Sequence, residues 1–275
     1  MTTTALPDVV LFAGPINAAQ APGATVPGAI RHFFVCTGDG STPPICSSIL
    51  QADTSGRYLP NLLKRIGLDE SRVGRVFLGS FSAGGQVWKR LLMNPQDRAR
   101  ITGAVLGDSA YESVPGSSAI PVAGFVEYAL EVMRDPTKFF FASVSSNANP
   151  STSQPGVIWA SGSQTLAATR AAVEQRSGRS FKTGGTLPVS VQPDALYSIG
   201  SNLLFADFGQ ASMIGPDGKP TGAHGFHAFM QPEFWQRILV PWLQSGGSTV
   251  GDWWQSAVAF LVGSALGYGG AARFR

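Results

Sequence analysis

The chain has 275 residues, within reach of one large α/β domain or two small ones, and long enough to bury a substantial core. Hydrophobic residues make up 44% and charged residues 13%; the charged share is about half the ordinary one, which argues against a disordered chain. The net charge of +3 comes from scattered Lys and Arg, so no basic cluster speaks for a nucleic-acid partner.

The first residues, Met1 to Pro7, have neither a basic start nor a long apolar core. No signal peptide is expected, and the default location is cytoplasmic. Asp8 to Ala13 is a short apolar run of the kind that forms a buried strand, closed by Gly14-Pro15. A loop rich in Ala, Pro and Gly leads to a second strand, Ile30 to Val35. Cys36 and Cys46 bracket the next loop. Two states stand open for them, a disulfide in an oxidising compartment or a pair of free thiols. Leu59, Leu62, Leu63 and Ile66 recur at helical spacing, which predicts a helix from Tyr58 to Ile66 with Gly67 as its stop.

The organising stretch follows. Arg75 to Gly79 reads as a strand, residues 84 to 93 read as a helix, and between them stands Ser80-Phe81-Ser82-Ala83-Gly84. A serine on a sharp strand-to-helix turn stands clear of its sheet and can attack a carbonyl. Small neighbours are required because the turn crowds the backbone. The usual pattern is G-x-S-x-G; here the first position is Ser, still small. Asn94-Pro95 is expected to break the helix. Further on, Ile101 to Leu106 is a strand ending at Gly107-Asp108. A helix spans Val122 to Arg134, a strand Phe139 to Val144, and a helix Val157 to Gln175. One more strand runs from Ala195 to Phe205. The stretch 209–225 reads as a loop, and Pro232 to Leu243 as a helix with Pro232 in its first turn. This alternation predicts a mostly parallel central sheet flanked by helices on both faces. Functional groups then gather at the carboxyl ends of strands.

A serine hydroxyl needs a base to become a nucleophile, usually a His held by a carboxylate. The chain has three His. His32 lies inside a strand, whereas His224 and His227 stand together just ahead of the last strong helix. With the elbow, the order of elements and this late His loop, the chain from Asp8 to Leu243 resembles the α/β-hydrolase superfamily. Many members carry G-H-x-x-H-x-x-x-P-E at this place, with the first His catalytic. The chain reads Ala223-His224-Gly225-Phe226-His227-Ala228-Phe229-Met230-Gln231-Pro232-Glu233. The resemblance therefore implies His224 as the base, with His227 in reserve.

The acid departs from the common pattern. The superfamily usually places it after the strand that here ends at Val144, but the loop reads Ser145-Ser146-Asn147-Ala148-Asn149. One strand earlier, Asp108 puts a carboxylate at a strand's carboxyl end and is the expected acid. Asp207 and Glu112 are reserves, and Ser145, Asn147 or a backbone carbonyl could instead orient the imidazole. An oxyanion site needs two donors. The N–H of Ala83 is the first. Gly14 or Ile16, on either side of the donorless Pro15, supplies the second, with Thr37-Gly38 as competitor.

The expected activity is serine esterase chemistry on a small-molecule or lipid-like ester, with no metal and no cofactor. Phe81, Tyr111, Phe226, Phe229 and the helix around Phe125 are candidates to line an apolar acyl pocket. After residue 244 the chain changes character: a Ser/Gly linker precedes the nearly uncharged run from Trp253 to Tyr268. The expected division is therefore a catalytic domain over 1–244 and a linker plus apolar helix over 245–275. The tail at 253–272 is read as a packed last helix, a self-association element or a membrane contact. The rival function is a catalytically silent α/β-hydrolase-fold protein that binds or assembles through this tail.

Overall fold

The computed structural model describes residues 5–36, 46, 49–112, 119–146, 149–150, 158–215 and 217–246. Its centre is an eight-stranded sheet. Strands β1 (Val9–Gly14), β2 (Ile30–Val35), β3 (Val76–Phe81), β4 (Ile101–Gly107) and β5 (Phe139–Val144) are joined by β8 (Lys182–Thr183), β9 (Ala195–Ile199) and β10 (Leu203–Asp207) in the order β2-β1-β3-β4-β5-β10-β9-β8. From β2 through β10 every pair is parallel, and β10, β9 and β8 pair antiparallel. A separate two-stranded ribbon pairs β6 (Asn149–Pro150) with β7 (Ile158–Trp159).

The sheet is apolar on both faces because its strands are apolar at successive positions, as a doubly covered parallel sheet requires. Successive side chains then serve opposite layers. Val9, Leu11, Val76, Leu78, Ala104, Leu106, Phe140 and Phe205 face one core, and Val10, Phe12, Phe77, Val105, Phe139, Phe141 and Leu204 face the other. The first face is covered by α1 (Leu59–Arg65), α2 (Gly85–Leu91), α4 (Ala123–Val132) and α5 (Gly162–Ser177), and the short α3 (Pro95–Arg100) leads into β4. The second face is covered by the loop after β1 and by the C-terminal helical run, α6 (Gly222–Phe229), α7 (Gln231–Glu233), a π-helical turn at Phe234–Leu239 and α8 (Val240–Gln244). Burying one Leu or Phe fully contributes roughly 1.5–3 kcal/mol, so the central strands, with no exposed position in β1, β3 or β5, anchor the domain.

Several elements differ from the sequence reading, each for a local reason. Asn94-Pro95 ends one helix but starts another: the Asn94 side chain accepts from the N–H groups of Gln96 and Asp97, and Pro95 takes the first helical position. The single strand expected over residues 195–205 is a hairpin, turned at Gly200 with φ of 66°. The helix expected from Val157 begins at Gly162, because Ser161 and Gln164 form a reciprocal capping box there. The expected loop at 209–225 already becomes helix at Gly222, so both late His residues are helical. Cys36 and Cys46 are joined by a disulfide. His32 is half-buried on the edge strand β2 against Phe34; burial and the Arg65 charge lower its pKa. The apolar tail at 253–272 lies wholly outside the described residues. Among the described residues no helix is long and apolar enough to cross a membrane.

Candidate functional site

The sheet reverses its direction of growth between β1 and β3. The chain leaves β1 for β2 on one side and returns to β3 on the other. Loops that leave the carboxyl ends of such strands diverge and open a crevice. Ser82 directly follows β3 at this place, on a short 3-10 turn, Ser82–Gly84, that feeds α2.

Only two described non-glycine residues have positive φ, Ser82 at 56° and Asp108 at 44°. Such backbone costs roughly 1–3 kcal/mol per residue and persists where surrounding structure enforces it. The enforcement at Ser82 is visible. A Cβ on Gly84 would stand 1.9 Å from the Ala13 carbonyl oxygen, and one on Gly85 would stand 2.0 Å from that of Ser109. The turn is wedged between the end of β1 and the loop after β4, and two glycines make the wedge possible. Trp88, fully buried, donates its indole N–H back to the Gly79 carbonyl at 2.6 Å and ties α2 to β3. Ser80 stands at the position where glycine is usual because its buried hydroxyl has a partner: it donates to Ser109 Oγ at 2.9 Å, and Ser109 donates to the Gly107 carbonyl at 3.0 Å.

Asp108 directly follows β4, one strand away, and is fully buried. Its backbone N–H donates to the Ser143 carbonyl at 2.7 Å. Its carboxylate accepts from the Ser145 N–H at 2.9 Å and from the Ser145 hydroxyl at 2.7 Å. The Nδ1 of His224 is 2.6 Å from Asp108 Oδ2, and Nε2 is 3.0 Å from Ser82 Oγ. A carboxylate held by other donors can only accept from the ring, so the proton belongs on Nδ1. Nε2 is then the acceptor that faces the serine hydroxyl. Burial pushes the Asp108 carboxyl up, but the hydrogen bond from His224, the neighbouring imidazoles and a hydrogen bond from Tyr111 outweigh it and leave its pKa below the ordinary value. Asp108 thus stays ionised near neutrality. The Phe81 ring stacks on His224 with centroids 4.8 Å apart.

Ser82, His224 and Asp108, expected from the sequence, therefore meet in one hydrogen-bonded chain. The reserves do not join it. His227 is fully buried one helical turn further on, with Nδ1 2.9 Å from Ser143 Oγ, and among the described residues its Nε2 has no hydrogen-bond partner. Its pKa is lowered to about 4, chiefly by burial. Lying among Phe208, Phe226 and Phe234, it holds α6 against β5. Asp207 accepts from the Gly209 N–H at 2.9 Å, and Glu112 pairs with Lys89 at 2.5 Å.

Of the expected oxyanion residues, Ala83 follows Ser82 in the turn and Gly14 ends β1 beside Phe81. The Gly14 carbonyl accepts from the Cys36 N–H at 2.8 Å. A strand residue turns its N–H and C=O to the same neighbour, so Gly14 faces β2 and not Ser82. Ile16 lies beyond the strand with its side chain in the core. Thr37, Gly38 and Asn147 lie outside the described residues. Two roles escaped the sequence. Ser145 supplies two donors to Asp108 and does not orient the imidazole itself, and Tyr111 places its hydroxyl 3.2 Å from His224 Nδ1 where only an apolar wall was expected. The single signal in the sequence was position: Tyr111 is three residues past Asp108 and Ser145 begins the loop after the neighbouring strand. Phe226 and Phe125 are core residues, whereas Phe229 is exposed.

A hydroxyl bonded to an imidazole that is itself held by a buried carboxylate can lose its proton as it attacks an electrophile. Among the described residues no group of three or more His, Cys, Asp or Glu is placed to hold a metal ion. No protein-family model matches the chain, and no curated protein matches it.

Proposed function

We propose that this protein is a serine hydrolase of the α/β-hydrolase superfamily that cleaves carboxylic esters through an acyl-enzyme on Ser82. The observation that carries the reading is the chain from Ser82 Oγ to His224 Nε2 at 3.0 Å and from His224 Nδ1 to Asp108 at 2.6 Å. Its support is the strained turn beneath it, since Ser82 and Asp108 are the two described non-glycine residues with positive φ.

In this reading Ser82 Oγ attacks the ester carbonyl while His224 Nε2 takes its proton. Asp108 keeps the ring in the Nδ1–H tautomer and stabilises the imidazolium without taking the proton itself. The tetrahedral oxyanion is met by the Ala83 N–H and, because Gly14 faces β2, by the Ile16 N–H as the second donor. His224 then protonates the leaving alcohol. A water activated by the same imidazole hydrolyses the acyl-enzyme and restores Ser82. The preference for esters over amides, and for a small-molecule or lipid-like substrate, rests on the resemblance to the superfamily.

The test is a panel of p-nitrophenyl esters from short to long acyl chains, assayed with wild type and Ser82→Ala. Turnover by wild type and none by the variant is expected. A well-folded wild type that turns over no ester of any length would return the chain to the rival reading, a silent binding module.

A further inference from the structure

Tyr111 stands against the Ser82–His224–Asp108 chain in a place that the mechanism above leaves without a role. It belongs to the loop after β4, the same segment that carries Asp108. Its hydroxyl lies 3.2 Å from His224 Nδ1, the nitrogen that is itself 2.6 Å from Asp108 Oδ2, so the phenol stands beside the Asp108 carboxylate. Its backbone carbonyl accepts from the side-chain amide of Gln86 at 3.2 Å, which fastens this loop to the helix that begins just after Ser82. His224 thus has two aromatic neighbours, Phe81 stacked at 4.8 Å and Tyr111 tilted at 6.3 Å.

We propose that Tyr111 is a positioning residue for the hydrolytic reaction, its hydroxyl donating to Asp108 beside His224 Nδ1 and thereby holding the imidazole with Nε2 toward Ser82. The inference rests on the hydrolase reading and adds a fourth side chain to it. With Nδ1 protonated, the phenol cannot donate to that nitrogen, and its hydrogen turns to the carboxylate. Asp108, already held by Ser145 and His224, then gains Tyr111 as a further donor. A carboxylate with more donors is less basic. When His224 accepts the Ser82 proton, its Nδ1 proton therefore stays on the ring, and the ion pair forms in place. If the ring instead lost its Nδ1 proton, the phenol would donate to Nδ1, but Nε2 would then bear hydrogen and could not accept from Ser82.

The experiment is a cycle of wild type, Tyr111→Phe, Asp108→Asn and the double variant. Each is assayed for kcat and KM on a p-nitrophenyl ester, for the rate of Ser82 modification by a fluorophosphonate, and for Tm. Removing one hydrogen bond to a charged group should lower kcat and the modification rate about tenfold, with KM and Tm unchanged. In the Asp108→Asn background the same change should add less than twofold, because the hydroxyl acts through the carboxylate. Replacing Tyr111 by 3-fluorotyrosine, which keeps the ring and strengthens the donor, should retain wild-type kcat. A Tyr111→Phe rate within twofold of wild type would overturn the inference. So would a full tenfold loss in the Asp108→Asn background, or an equal loss with 3-fluorotyrosine, which would assign the effect to ring packing. No modification of Ser82 in folded wild type sinks the hydrolase reading itself, a failure distinct from these.

Discussion

Gly84→Ala isolates what the turn beneath Ser82 contributes. The added methyl would sit 1.9 Å from the Ala13 carbonyl oxygen and 2.4 Å from its carbon, and both are backbone atoms of a buried central strand. Ordinary contact begins near 3.4 Å, so the turn and β1 must part by more than an ångström. Overpacking of this kind costs about 1–3 kcal/mol of stability. The larger effect falls on geometry, because misplacing a reacting group by about 1 Å can cost on the order of 100-fold in rate. Gly225→Ala is the matched control. It lies inside α6 beside His224, and among the described residues its new methyl meets only Thr221 at 3.5 Å. An interior helical Gly→Ala change should stabilise by up to about 1 kcal/mol. Thermal unfolding and the fluorophosphonate modification rate of Ser82 measure both substitutions. Gly84→Ala should lower Tm and slow modification about 100-fold, and Gly225→Ala should hold or raise Tm. Wild-type Tm and rate in Gly84→Ala would refute the claim that the strained turn sets the serine.

Other substitutions probe the partners of that serine. Asp108→Asn places an amide where the carboxylate accepts from Ser145 and His224; kcat should fall roughly 10⁴-fold, and steady-state turnover near wild type would remove Asp108 from the reaction. His227 gives a pH test. Its folded pKa of about 4 lies below the roughly 6.5 of an unfolded His. Between these values the unfolded chain holds more protons, so its contribution is intact above about pH 6.5 and is lost as pH falls toward 4, by up to about 3 kcal/mol. Urea unfolding across this window should show a flatter acid loss in His227→Phe than in wild type, and parallel curves would contradict the assignment. The Cys36–Cys46 bridge closes a loop with a sequence separation of 10. Replacing both Cys by Ser should cost about 3 kcal/mol in the chain-entropy account, and an unchanged unfolding midpoint would argue that the bridge does not constrain the unfolded chain.

The parallel strands were readable because each is a short apolar run between breakers, such as Phe139 to Val144 after Asp135-Pro136. The turn at Ser82 was readable because a wedge this tight demands glycines, and Gly84 and Gly85 stand where the neighbouring carbonyls press. Boundaries that depend on one side chain were harder. The Asn94 cap converts an apparent break into a new helix start, and the Ser161–Gln164 pair delays α5 by several residues. The hairpin at Gly200 hid inside an apolar run because a single glycine turned it. At the site, Asp108 could be named from its place at a strand end. Its choice over Asp207 and Glu112 needed three dimensions, since each of those carboxylates finds a nearby partner of its own. The contacts of Ser145 and Tyr111 were hidden because a hydroxyl's partners depend on what it faces, and no spacing rule encodes that across two strands.

In the proposed reaction Ser82 is a nucleophile activated by His224. The most direct measurement is intact and peptide mass spectrometry after exposure to a fluorophosphonate, on wild type, Ser82→Ala and His224→Ala. One adduct is expected on wild type, located on the peptide that contains Ser82, with none on Ser82→Ala and a rate lowered by orders of magnitude on His224→Ala. Folded wild type that stays unmodified, or an adduct that persists in Ser82→Ala, would contradict this role of Ser82.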